Sequence, residues 1–249
     1  MLQSLRECSE NLHTKFQCPS IKTDMAEVDS PETCICCCLN NEVIAVGKNK
    51  QVDFFVSNTE STSGYKIIGT LVMHFDIMGL AASGDTLCVT GRSECQLKKL
   101  CFREGTLQIE DLSEFTLNET IKKSVLCSDK LCFMHEKSVE IHWLDQDKHK
   151  VIKIDHSVID LTSPDESLFF LLTTDGRIAY CDINQESVAN EITVKFIDKF
   201  SDPSTISIFY SKHYEVFLIG HKNKTCSSMK LKEDNKMFEF DGLENLQVK

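Results

Sequence analysis

The feature that most constrains the fold of this chain is an internal repeat with a period near 44 residues. Five times, an apolar run rich in Val, Ile, Leu and Phe is followed by a short polar turn and a second run of strand character. Successive runs start 44, 44, 39 and 46 residues apart. They start at Val43, Leu87, Leu131, Phe170 and Val216. Because branched and aromatic residues favour strands and Gly, Asn and Asp favour tight turns, each unit predicts at least three antiparallel strands.

Repeats of this length that contain only strands are typical of the blades of a β-propeller. The fourth unit shows the pattern best, since residues 168–174, the turn Asp175-Gly176 and residues 178–182 resemble the middle of a WD40 blade. No stretch keeps a helical apolar pattern over more than about two turns, which disfavours helical repeats. We therefore predict an all-β, WD40-like β-propeller with about five recognisable blades, in which the five apolar runs are the inner strands.

The blades are predicted over residues 28–249, and residues 1–27 are predicted to be a lead-in segment or a strand that closes the ring. Seven-bladed rings are the commoner product of WD40 repeats. Five blades are too few for a seven-bladed ring. The chain must therefore form a small five-bladed ring, or complete a larger ring through residues 1–27 or through sequence beyond Lys249. These three routes remain open at the level of sequence.

Composition excludes several classes of partner and places the chain in the cytoplasm. The 27 basic and 38 acidic residues give a net charge of −11, and no basic run compensates for it, which argues against nucleic acids and anionic membranes. No apolar stretch is long enough to insert into a bilayer, and the first 18 residues do not resemble a secretory signal. The 13 cysteines are an odd number, so we expect reduced thiols in a cytosolic or nuclear protein, and of the two we predict the cytoplasm.

The densest group of chemically active side chains is a run of four cysteines, Cys34, Cys36, Cys37 and Cys38. Cys34 and Cys37 have the spacing of a zinc knuckle or a redox pair, so all four are candidate metal ligands. Zinc needs four ligands, however, and the chain has no second pair of this spacing and no nearby His pair. The run also occupies a strand position, which favours packing of the thiols in a core.

No other group of residues predicts catalysis or a bound cofactor. The chain lacks the glycine-rich phosphate loops, the zinc-protease helix motif, the nucleophile elbow, the calcium loop and the kinase signatures. His135 and His142 flank a turn and a strand, but nothing in the sequence connects either to a nucleophilic cysteine. We predict a chain that is not an enzyme, with no catalytic residues, no cofactor and no small-molecule substrate.

Three stretches resemble the N-terminal propeller of the kinetochore Rod family. They are residues 75–100, 167–183 and 216–236. The resemblance implies a role at kinetochores and on the spindle during mitosis, where the family helps to recruit dynein and the spindle-checkpoint proteins. It also implies a Zwilch-like subunit as a protein partner.

A propeller without a chemical signature predicts a rigid platform for other proteins. We therefore expect a non-catalytic scaffold or assembly subunit, and the resemblance implies one of the Rod type. The alternatives are a propeller subunit of a vesicle-tethering or coat complex, a substrate receptor of a ubiquitin ligase, and a metal or redox protein built on Cys34–Cys38. The sequence does not indicate which residues bind partners.

Overall fold

The structure is a computed structural model that describes residues 33–39, 41–58, 64–164, 167–186, 192–211, 215–223, 225–234 and 237–247. In this part of the chain the regular elements are twenty β-strands, arranged as five antiparallel sheets of four strands. Each sheet is built from one continuous stretch of chain, and its strands pair in sequence order.

The sheets are numbered in chain order. The first contains β1 (Cys34–Cys38), β2 (Val43–Lys48), β3 (Gln51–Ser57) and β4 (Tyr65–Val72). The second contains β5 (Gly79–Ser83), β6 (Thr86–Thr90), β7 (Glu94–Arg103) and β8 (Thr106–Thr116). The third contains β9 (Lys123–Cys127), β10 (Lys130–Met134), β11 (Ser138–Trp143) and β12 (Lys148–Lys153). The fourth contains β13 (Val158–Thr162), β14 (Leu168–Thr173), β15 (Arg177–Glu186) and β16 (Ile192–Ser201). The fifth contains β17 (Thr205–Ser211), β18 (Val216–His221), β19 (Thr225–Asp234) and β20 (Met237–Gln247).

The turn between β14 and β15 shows how local chemistry sets the hairpins. Gly176 has a φ of 77°, a conformation that side chains with a Cβ rarely adopt. A Cβ at this position would also clash with the carbonyl oxygen of Asp202. The Asp175 carboxylate accepts hydrogen bonds from the Thr173 hydroxyl and from Nε of Arg177. The turn that the sequence predicts at Asp175-Gly176 is confirmed.

The five sheets stack in chain order around a common axis. The first strands pack side by side in the order β1, β5, β9, β13 and β17, and these strands are therefore the innermost. This corrects one prediction, since the long apolar runs are the second strands of the sheets and not the inner ones. The second strands of the three middle sheets are more apolar because they have a neighbouring sheet on each face, whereas the first strands also border the axis.

Four apolar cores lie between consecutive sheets. The core between the first and second sheets contains Phe54 and Leu87, and the core between the second and third contains Leu97 and Phe133. The remaining two lie between the third and fourth sheets and between the fourth and fifth sheets. The predicted all-β propeller of five blades is confirmed. Residues 1–27, predicted as a lead-in segment or a closing strand, lie outside the described residues.

Candidate interaction surface

The second strands of the five sheets divide into two kinds by burial. In β6, β10 and β14 consecutive residues are buried, and this includes all six residues of β14. In β2 and β18 buried and half-buried residues alternate over most of the strand. Successive side chains of a strand point to opposite faces, so alternation means that one face is covered and the other is not. The first and fifth sheets each have one uncovered face.

The uncovered face of the first sheet carries a patch of apolar side chains, which we call the first free face. Cross-strand pairing aligns Ile35 with Val46 and aligns Cys37, Ile44, Phe55 and Ile67 in a second row. None of these six residues belongs to the core toward the second sheet. Ile35 is 53% exposed and Ile67 is 55% exposed. The patch crosses all four strands of the sheet.

The uncovered face of the fifth sheet, the second free face, is centred on Phe209, which is 59% exposed. Phe209 pairs with Leu218, which pairs with Ser228, while Gly220 pairs with Cys226 on the same face. The opposite face carries Phe217 and other side chains that pack on the fourth sheet. Each inner strand packs beside the inner strand of the next sheet. Among the described strands, β17 and β1 do not pack on each other in this way. In the part of the chain that the structure describes, no further sheet packs on either free face.

An aspartate on the inner strand of the fourth sheet connects three sheets near the axis. Asp160 is only 8% exposed and forms an ion pair with Lys123 of the third sheet. Its other carboxylate oxygen accepts a hydrogen bond of 2.7 Å from the backbone N–H of Ile208 in the fifth sheet. Two residues further on, the Thr162 hydroxyl accepts a hydrogen bond from the backbone N–H of Tyr210. These bonds attach the fifth sheet to the fourth along the inner strands.

The run of cysteines at residues 34–38 forms β1, and the strand separates the candidate metal ligands. Cys36 and Cys38 face the core toward the second sheet, while Cys37 belongs to the first free face. The pair with the zinc-knuckle spacing, Cys34 and Cys37, therefore points to opposite faces of the sheet. In the described part of the chain, no three His, Cys, Asp or Glu side chains are placed to hold a metal ion.

The surroundings of these thiols shift their pKa values in different directions. Sγ of Cys36 lies 3.7 Å from Sγ of Cys38. This hydrogen bond, together with burial, raises the pKa of the Cys36 thiol far above its ordinary value. The same hydrogen bond lowers the pKa of the Cys38 thiol, although burial acts in the opposite direction there. Partial desolvation raises the pKa of the Cys37 thiol. Since thiolates react and thiols do not, neither Cys36 nor Cys37 is an activated nucleophile at neutral pH.

Other cysteines lie inside the stack. Cys88 and Cys132 occupy the same position of β6 and β10 and are completely buried. Burial raises the pKa of Cys132 well above its ordinary value and that of Cys181 to about 12. Side chains of this kind act as small apolar residues that fill the space between sheets.

The structure groups two histidines with a carboxylate that sequence reasoning did not connect to them. Nε2 of His142 lies 2.8 Å from one oxygen of Glu140, and Nε2 of His135 lies 3.6 Å from the other. Nδ1 of His135 donates a hydrogen bond to the carbonyl oxygen of Thr120. The rings of His142 and Phe133 are in edge-to-face contact. The group lies against the core between the second and third sheets. We therefore interpret these side chains as packing residues. The signal of this group in the sequence is the spacing of two between Glu140 and His142, which places both on one strand face.

A cleft of about 430 Å³ lies between turns of the first and second sheets. Leu39, Glu42, Gly84, Asp85 and Phe102 line it. The backbone N–H of Leu39 donates a hydrogen bond of 2.9 Å to the carbonyl oxygen of Gly84, which joins the two turns. With Glu42 and Asp85 at its wall, the cleft is acidic.

Comparison with known proteins agrees with this architecture. No family model matches the chain, and no curated protein is detectably similar to it in sequence. The structure is similar to the crystal structure of the β-propeller domain of Cps50 (Swd1) from Myceliophteria thermophila, with a TM-score of 0.62 and 13% sequence identity. The chain is a WD40-like β-propeller. The similarity covers 90% of this chain and 74% of the Swd1 chain, and at this identity it establishes the fold alone.

The described residues contain no helix with the length and apolar character that crossing a bilayer requires. The propeller fold is consistent with a role in protein–protein interaction, and neither the fold nor the similarity to Swd1 identifies a partner.

Proposed function

We propose that the chain is a non-catalytic scaffold that holds protein partners in an assembly. The observation that carries this proposal is the contrast between its reactive side chains and its apolar sheet faces. Among the described residues, Cys36, Cys38 and Cys132 are used in packing, whereas the two free faces are uncovered. Exposed apolar patches on rigid folds are typical of interaction surfaces.

Within that class, we propose a kinetochore-associated propeller of the Rod type that acts in the spindle checkpoint and in dynein recruitment during mitosis. The support is the resemblance of residues 75–100, 167–183 and 216–236 to that family. These stretches fall on strands of the second, fourth and fifth sheets, so the resemblance lies in the propeller itself. A Zwilch-like subunit is the partner that this proposal requires, and we propose a cytoplasmic location for the chain outside mitosis.

The test is affinity purification of the tagged full chain from mitotic and interphase cells, followed by quantitative mass spectrometry. A Zwilch-like subunit enriched from mitotic cells, together with a kinetochore signal of the fluorescent chain in cells arrested without microtubules, is the expected result. Recovery of tethering, coat or ubiquitin-ligase components in its place would overturn the kinetochore assignment and leave the scaffold assignment standing. A zinc content of one ion per chain would contradict the non-metal part of the proposal.

A further inference from the structure

The outermost strands of the five sheets differ in charge. β8 and β20 each contain three acidic residues and no basic residue. β4 contains one lysine, and β16 contains two lysines and an aspartate. β12 reads KHKVIK, with three lysines and no acidic residue. Since the whole chain has a net charge of −11, β12 is a local exception to the charge of the molecule.

The outer edge of β12 is open. β11 is its hydrogen-bonded neighbour on one side, and no described strand pairs with it on the other. Outer strands of neighbouring sheets contact each other at two places, where β4 meets β8 and β16 meets β20. β12 packs in this way on neither β8 nor β16. In the described part of the chain, the edge of the third sheet is therefore accessible to an added strand.

The backbone of β12 directs hydrogen-bonding groups out of this edge. The N–H of Ile154 donates a hydrogen bond of 2.9 Å to the carbonyl oxygen of Lys137. Bonded and non-bonded pairs alternate along an antiparallel ladder, so His149, Val151 and Lys153 occupy non-bonded pairs with β11. Their N–H and C=O groups therefore point away from the sheet, where an extended segment can pair with them.

The side chains at the same edge are cationic. Lys148 lies over the ring of Trp143, with its Nζ atom 4.6 Å from the ring centroid. Among the described residues, neither Lys148 nor Lys153 forms an ion pair with a carboxylate. Val151, between these two lysines in the strand, is 47% exposed. Lysines on an edge strand repel edges of the same charge and attract an edge of opposite charge.

We propose that the outer edge of β12 binds an acidic, extended segment of a partner protein, which adds to the third sheet as a fifth strand. The backbone groups of β12 provide the pairing, and the lysines favour carboxylate side chains in the added strand. A nucleic acid offers negative charge but no peptide backbone to pair with the edge. The proposal rests on the scaffold function, which it deepens by naming the chemistry of one partner. It does not depend on the kinetochore assignment.

The test is a fluorescence-anisotropy titration of a dye-labelled heptapeptide, in which Glu and Val alternate, with the purified full chain. Two control peptides are used, one with Gln in place of Glu and one with Pro in place of Val. The Gln/Val peptide can form a strand but has no charge. The Glu/Pro peptide keeps the charge but lacks N–H groups that strand pairing needs. We expect the Glu/Val peptide to bind about tenfold more tightly than either control, or better.

Two further measurements locate the bound peptide. Trp143 is the single tryptophan of the chain and contacts Lys148 of β12, so its emission should change with the same midpoint as the anisotropy. Hydrogen exchange of the complex should slow at the outward N–H groups of β12. Exchange in β8, the outer strand of the second sheet, should stay unchanged.

Variants of the chain separate the edge from general charge attraction. Lys150→Gln with Lys153→Gln should weaken binding of the Glu/Val peptide by about tenfold. The matched control is Lys66→Gln with Lys195→Gln, which removes the same charge from exposed positions of β4 and β16 and should change the affinity by less than about twofold. Val151→Pro removes one outward N–H and should weaken binding, whereas Val151→Ala keeps it and should not. Circular dichroism verifies folding, and if Val151→Pro fails to fold, the lysine variants decide the outcome.

Four results would overturn the proposal. The first is equal binding of the Glu/Val and Glu/Pro peptides, since the chain would then recognise charge alone. The second is an unchanged affinity in the Lys150 and Lys153 double variant. The third is clearly tighter binding after deletion of residues 1–32, since acidic residues of this chain would then occupy the edge. The fourth is a single-stranded oligonucleotide that binds more tightly than the peptide, or a dimer in sedimentation that the peptide dissociates.

All of these measurements use the purified chain and synthetic peptides. They do not depend on the partners recovered from mitotic cells, so the scaffold function and the binding edge of β12 fail separately.

Discussion

The second strand of the fourth sheet and that of the fifth are alike in sequence and differ in environment. β14 reads LFFLLT and β18 reads VFLIGH, and both are rich in large apolar residues. All of β14 is buried, whereas Leu218 and Gly220 in β18 are half-exposed. The difference arises from the neighbours, since the fourth sheet has a sheet on each side and the fifth has one. Burial in a stacked propeller is thus a property of position in the series as well as of residue type.

The largest expected effect compares two phenylalanines, one inside the stack and one on a free face. Phe170 is completely buried between the fourth and fifth sheets, and its ring centroid lies 4.7 Å from that of Phe217. We expect Phe170→Ala to lower the free energy of unfolding by about 3–5 kcal/mol through lost burial and a residual cavity. Phe209→Ala should change it by less than about 0.5 kcal/mol. Urea unfolding followed by circular dichroism measures both, and equal losses would show that Phe209 is covered.

The second prediction concerns the attachment of the fifth sheet. Asp160→Ala leaves the buried backbone N–H of Ile208 without its acceptor and Lys123 without its partner, which should cost about 2–4 kcal/mol. Hydrogen exchange in β17 should accelerate more than in β6, because the fifth sheet packs on one side only. The control is Asp85→Ala, whose ion pair with Lys99 is half-exposed and 3.8 Å long, with an expected cost below about 0.5 kcal/mol. Equal exchange in the two strands would argue against a weakly held fifth sheet.

The third prediction uses pH to compare a buried thiol with an exposed one. Burial raises the pKa of Cys181 to about 12, above the 9.0 of an unperturbed thiol. The unfolded chain therefore loses this proton first, and stability that is complete below pH 9 declines as the pH rises toward 12. For one such group the loss between pH 9 and pH 10 is about 1 kcal/mol.

The measurement is the slope of unfolding free energy against pH in the wild type, in Cys181→Ala and in Cys37→Ala. The Cys181→Ala variant should have a shallower slope whatever its stability at pH 7. Cys37→Ala should keep a slope closer to that of the wild type, since its thiol is only partly desolvated. An unchanged slope in Cys181→Ala would contradict the assignment of alkaline destabilisation to the interior thiol.

The smallest effect on stability is expected on the first free face. Ile35→Ser and Ile67→Ser replace side chains that are already more than half exposed, so each should change the unfolding free energy by less than about 0.5 kcal/mol. Binding of an apolar fluorescent dye should nevertheless decrease. Val89→Ser, at a completely buried position of β6, is the control and should destabilise strongly. A large loss of stability in Ile35→Ser would show that the face is packed.

The sequence was sufficient for the features that depend on neighbours along the chain. The repeat, the hairpin at Asp175-Gly176 and the strand that contains Cys34–Cys38 follow from alternation, apolar runs and turn residues, all of which act within a few residues. Cys88 and Cys132 recur at the same position of two units, and such recurrence is a signal of packing that the sequence contains. The function was predictable only as a class, since a propeller serves many different partners.

The features that the sequence did not reveal depend on contacts between distant units. The innermost strand was assigned wrongly because the axis is created only when several sheets assemble. The role of Asp160 was not recognised, because its partners Lys123 and Ile208 are 37 and 48 residues away. The free faces were also unrecognised, since Ile35 and Phe209 look like core residues until the missing neighbour is seen.

Each sheet is made from one continuous stretch of chain, and no described strand crosses into another sheet. Pairing within a sheet therefore closes only short loops, which favours rapid formation. On a ribosome, a sheet can form once its own segment has emerged and can dock on the sheet synthesised before it. Synthesis then proceeds by adding one sheet at a time, and the newest sheet always presents one open face to whatever comes next. The fifth sheet, with one exposed face, therefore resembles each earlier sheet at the stage of synthesis before the next sheet docked on it.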